Sequence, residues 1–161
     1  MRYKILGDNL PAVTIQFDQG ESIYTQSGGM TWMTDNFNME TNMRGGLGKS
    51  LGRMFTGESL FMVTYTALAP NAEMTLASSF PGEIKPIQLD GSMEYIAQKS
   101  AFLCATPGVE LSTHITRAGA GFFGGEGLFL SDVEGPGRVW LQTVSASEFA
   151  KRLMPFMPSK G

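Results

Sequence analysis

The feature that most constrains this chain is a phrase it states twice: Gly57-Glu58-Ser59-Leu60-Phe61-Met62, and then Gly125-Glu126-Gly127-Leu128-Phe129-Leu130. Each copy closes a glycine-rich stretch and opens an apolar run. Around the phrase the two halves superpose. Adding 72 to a first-half number lays Phe17-Asp18 on Leu89-Asp90, Tyr24-Thr25-Gln26 on Ile96-Ala97-Gln98, and Met30 on Phe102. The same shift lays Met39, Thr41 and Met43 on Leu111, Thr113 and Ile115. The glycine-rich loop is shorter in the second half, so the offset becomes 68 at Gly57/Gly125, then 65 at Met74/Val139 and Leu76/Leu141. Apolar positions fall on apolar positions and turns on turns. We read repeats over about 10–78 and 82–145 within a single domain, 1–161, with Phe80-Pro81-Gly82 between the halves.

The duplicated unit reads as strands. Ala12-Val13-Thr14-Ile15-Gln16-Phe17 alternates apolar and polar, which places Val13, Ile15 and Phe17 on a buried face. Asp18-Gln19-Gly20-Glu21 reads as a hairpin turn with Ser22–Gln26 as the return strand. Residues 3–6, 30–33, 60–66 and 73–77 are further strands. In Phe37–Met43, the residues Phe37, Met39 and Met43 are predicted on one side. The tail differs: Phe149 and Leu153 share a helical face and Pro155 stops it, so a helix is predicted over about 146–154. Twenty glycines and eight prolines favour short strands joined by turns. The expected class is all-β, an internally repeated antiparallel sandwich or barrel with a short C-terminal helix.

Charged residues make up only 17% of the chain, against roughly 25% in an average globular protein, which suggests extra buried surface within or between subunits. The net charge of −3 leaves no basic surplus to neutralise phosphates, so nucleic acid is disfavoured as a partner. A single cysteine, Cys104, makes no intrachain disulfide and suits a reducing compartment. Met1-Arg2-Tyr3-Lys4-Ile5 offers no apolar signal core before Gly7-Asp8-Asn9, and no apolar run reaches the roughly 18 residues of a spanning helix. A cytoplasmic protein is expected.

Motifs that look chemical have plainer readings. Gly48-Lys49-Ser50 resembles the end of a phosphate-binding loop, but Met43 stands where that motif needs glycine. Gly119-Ala120-Gly121-Phe122-Phe123-Gly124 has dinucleotide spacing, yet leads into a strand where a helix N-terminus is required. His114 is the only histidine, so neither a zinc site nor a catalytic triad is expected. Cys104 falls on Trp32 in the superposition and reads as a packed small residue. Glu58 and Glu126 are matched carboxylates, but a residue that recurs in each repeat suits a turn better than acid–base work. With Gly57 and Gly125 they mark a repeated turn-to-strand junction. No catalytic, metal-binding or cofactor-binding residues are assigned, and no enzyme is expected. Leu47, Leu51, Met54 and Phe55 share one face of the first glycine-rich loop, with Lys49 and Arg53 elsewhere. Phe122 and Phe123 take the equivalent place in the second. These tips, in loops 44–56 and 117–125, are candidate surfaces for subunit burial, a protein partner or a membrane.

Asn9-Leu10-Pro11, Gly20-Glu21-Ser22-Ile23-Tyr24, Gly28-Gly29-Met30, Pro81-Gly82-Glu83-Ile84, Thr106-Pro107-Gly108-Val109 and Gly135-Pro136-Gly137-Arg138-Val139-Trp140-Leu141-Gln142, with the repeated phrase, resemble the altered-inheritance-of-mitochondria protein twenty-four family. The likeness spans nearly the whole chain. It implies an all-β fold like that of the trp RNA-binding attenuation protein, related to the double-stranded β-helix, and supplies no catalytic residues. It also implies three repeats in longer members where this chain has two. Edges that a third repeat would cover need another cover, and three chains in a symmetric ring would provide one. The leading functional expectation is a non-enzymatic homo-oligomeric scaffold or interaction protein, followed by a small-ligand binder and then a peripheral membrane-associated organiser. RNA binding would rest on fold analogy alone.

Overall fold

The computed structural model of the chain describes residues 1–43, 61–78, 80–113, 130–144 and 146–158. The first half supplies β1 (Arg2–Leu6), β2 (Ala12–Phe17), β3 (Ser22–Gln26), β4 (Trp32–Met33), β5 (Phe37–Met43), β6 (Phe61–Ala67) and β7 (Ala72–Ala77). The second half supplies β8 (Ile84–Leu89), β9 (Tyr95–Gln98), β10 (Phe102–Ala105), β11 (Glu110–Thr113), β12 (Leu130–Glu134) and β13 (Gly137–Gln142), then α1 (Ala146–Leu153). The protein is all-β, and every ladder is antiparallel.

Among the described residues the strands form three open sheets rather than a closed barrel. A first outer sheet runs β1-β2-β7-β4, a central sheet β5-β6-β3-β10-β13-β8, and a second outer sheet β11-β12-β9. Alternation explains the layering. In β2, Val13, Ile15 and Phe17 are buried while Gln16 is exposed, as expected of a strand covered on one face. In β10, all of Phe102-Leu103-Cys104-Ala105 is buried, because the central sheet is covered on both faces. Neighbours along a central strand accordingly enter different cores. Ile23 and Trp140 pack with Val13, Ile15 and Met74 under the first outer sheet. Tyr24 and Val139 pack with Val133 under the second. The register of β10 shifts between Phe102 and Cys104, so Leu103 and Cys104 both serve the first core.

One local expectation is corrected. The turn at Asp18–Gly20 forms, with the Glu21 amide donating to the Asp18 carbonyl at 3.1 Å and Gly20 at φ +86°. It is a corner rather than a hairpin: β2 pairs with β1 and β7, whereas β3 pairs with β6 and β10. Phe37 packs edge-on against Phe17, ring centroids 5.1 Å apart, but Met39 is 52% exposed. The helix α1 takes the predicted place, and Phe149 rests on Phe80 at 5.4 Å.

Candidate functional site

The sequence offsets assign each strand a mate: β2 to β8, β3 to β9, β4 to β10, β5 to β11, β6 to β12 and β7 to β13. The ladders obey the same correspondence. The set β2-β7-β4 has its counterpart in β8-β13-β10, and β5-β6-β3 in β11-β12-β9. Two ladders have no counterpart among the described residues: β1 with β2, and β3 with β10, which joins the halves into the central sheet.

That joint is built from a few specific contacts. Thr25 stands opposite Cys104, and Tyr24 opposite Ala105. The buried Thr25 hydroxyl donates to the Leu103 carbonyl at 2.6 Å, and the Tyr24 hydroxyl to the Val109 carbonyl at 2.7 Å. The Tyr24 ring stacks on Phe102, centroids 5.6 Å apart. Gly29 has no room for a side chain, since a Cβ there would run into the Thr25 hydroxyl. Beside the joint, Ser78 donates to Gln142 Oε1 at 3.1 Å, and Gln142 Nε2 donates to the Ser100 carbonyl at 2.8 Å. Thr25, Gly29, Thr31, Ser78 and Gln142 line a pocket of about 310 Å³. Cys104 is wholly buried, and burial pushes its thiol far above the ordinary range. A thiol so disfavoured as thiolate is not poised for nucleophilic work, in keeping with the packed small residue expected there.

The strands related to this joint by the repeat are β9, the mate of β3, and β4, the mate of β10. Each ends a sheet, and no described strand lies on its outer side. Ile96, the mate of Tyr24, and Trp32, the mate of Cys104, are each 56% exposed.

The residues singled out in the loops (Leu47, Leu51, Met54, Phe55, Phe122 and Phe123) lie outside the described residues. So do Gly57, Glu58, Gly125, Glu126, His114 and the two glycine motifs. The structure instead draws attention to Tyr24, Thr25, Trp32 and Ile96. The superposition already matched Tyr24-Thr25 with Ile96-Ala97; what it lacked was knowledge of which strands pair. Among the described residues, no three His, Cys, Asp or Glu side chains gather to hold a metal, and no helix is long and apolar enough to cross a membrane.

The three sheets and their joint define an internally duplicated β-protein whose halves connect strand to strand. The chain belongs to the family described as Mitochondrial biogenesis AIM24, whose model matches residues 3–149. It is 33% identical over 135 residues to an uncharacterised protein of Streptococcus pyogenes serotype M6, a match covering 79% of this chain and 54% of that protein. The chain thus spans about half the length of the curated relative it matches. It is also similar to a Streptococcus pyogenes protein of known crystal structure, with TM-score 0.64 and 29% identity over 88% of this chain and 63% of the other.

Proposed function

We propose that the protein is a non-enzymatic β-scaffold that works by assembling with further β-subunits, first of all copies of itself. The observation that supports this reading most is the pair of edges at β4 and β9, which no described strand covers and whose mates in the other half meet in a buried joint. Unpaired strand edges are templates for another strand, and soluble proteins cover or blunt them. The low charge content agrees with surface set aside for burial. Sedimentation across a micromolar concentration series tests it. An assembly of two or more chains, a ring of three included, is expected; a single chain at every concentration overturns the reading.

A second reading, a small-ligand binder, has the pocket beside Thr25 and Gln142 in its favour. Its volume of about 310 Å³ sits at the lower end of the range for small-molecule sites. Native mass spectrometry decides: a retained small molecule supports the binder, and mass accounted for by protein alone removes it.

A further inference from the structure

The two outer sheets end in edges that are the repeat-mates of the two strands meeting in the central sheet. Placed side by side, β11-β12-β9 of one chain and β4-β7-β2 of another reproduce, strand for strand, the central order β5-β6-β3-β10-β13-β8. Resting on the scaffold reading above, we infer that β9 of one copy pairs antiparallel with β4 of a second copy, in the register of β3 with β10. The repeat carries Cys104↔Thr25 to Trp32↔Ala97 and Ala105↔Tyr24 to Met33↔Ile96.

Three observations single out these edges. First, six strands end sheets among the described residues, and four of them carry protection. Arg2 and Lys4 lie on β1, Glu40 on β5, Lys85 and Pro86 on β8, and Glu110 on β11. Charges and proline are the usual means of keeping an edge from pairing. Trp32-Met33 and Tyr95-Ile96-Ala97-Gln98 carry neither. Second, the apolar character matches. Tyr24 stacks on Phe102 within the chain, and the same rotation brings Ile96 to Met30 of the other copy. Third, the outer sheets cover opposite faces of the central sheet, and β4 and β9 form no ladder with each other in the chain. Among the described residues neither edge has a partner strand, and a second copy offers the complementary edge. The contact is heterologous, one copy's β9 to the next copy's β4, so it closes a ring or extends a chain according to the rotation per step.

The test uses the full chain. Ile96 is more than half exposed, so Ile96→Lys is expected to leave the fold intact while placing a charge in the joint. Self-association should weaken by at least about tenfold, or fall to single chains. Independently, Trp32→Cys and Ala97→Cys proteins are mixed under mild oxidation. Directly opposed residues of an antiparallel pair lie within disulfide reach, so a covalent dimer containing one of each is expected, and buried Cys104 stays out of it. Assembly that ignores Ile96→Lys, together with no mixed dimer, overturns this register while leaving the scaffold reading standing. A wild-type chain that never associates overturns both.

Discussion

Tyr24 and Ile96 hold the same position in the two halves of the chain and live in opposite surroundings. Tyr24 is buried, stacked on Phe102 and hydrogen-bonded to Val109; Ile96 is 56% exposed at a sheet end. Their neighbours differ in the same sense. In the first half Thr25 spends its hydroxyl on the Leu103 carbonyl, and Gly29 leaves room for it. The second half has Ala97 and Ala101 at the matching places: no hydroxyl, and a methyl group where the glycine was. One joint is thus fixed by a buried hydrogen bond within the chain. The repeat-related edge keeps the apolar residues but lacks that hydroxyl, so the contact proposed there would be the weaker and reversible one.

The most forceful way to break this comparison is truncation at both mates. Tyr24→Ala removes a buried ring and should cost about 3–5 kcal/mol in urea unfolding, whereas Ile96→Ala should stay within about 0.5 kcal/mol for the dissociated chain. Similar losses at the two positions would mean that the halves are not so different. Thr25→Ala leaves the buried Leu103 carbonyl without its donor and should cost about 1–3 kcal/mol, measured in the same way.

The thiol of Cys104 sharpens the contrast with its exposed mate Trp32. Burial raises the thiol's pKa in the folded chain, so the neutral form is favoured there. Below the unfolded value of about 8.5 both states are protonated and nothing changes. As pH rises past that value the unfolded chain ionises first, and stability should fall by up to about 1.4 kcal/mol per pH unit. Burial also raises the Tyr65 hydroxyl, so the quantity to compare is wild type against Cys104→Ser, which should lack this part of the slope.

The smallest expected effect is a gain. Ala97→Thr with Ala101→Gly rebuilds at the bare edge the arrangement that Thr25 and Gly29 make at the joint. One added hydrogen bond of about 0.5–1.5 kcal/mol should tighten self-association roughly two- to tenfold. No change would argue that the edge is not a copy of the joint.

Much of this was legible in the residues, and the reason is periodicity. Alternation in β2 places Val13, Ile15 and Phe17 inside, and the sequence offsets alone match Tyr24-Thr25 to Ile96-Ala97. Pairing was not legible. Asp18–Glu21 has hairpin composition, yet a tight turn and a corner between sheets use the same glycine, and only the wider fold sends β3 away from β2. The exposed edges escaped for a related reason: Trp32 and Ile96 look like core residues, and their exposure follows from which strand stands beside them. The apolar loop tips, Phe55 and Phe123 among them, lie outside the described residues.

Amide hydrogen exchange followed against protein concentration tests the central claim most directly. Protection at Trp32–Met33 and at Tyr95–Gln98 should rise together as the chain assembles, while β3 and β10 remain protected throughout. Fast exchange at both edges in the assembled protein, or protection gained at one alone, would contradict it.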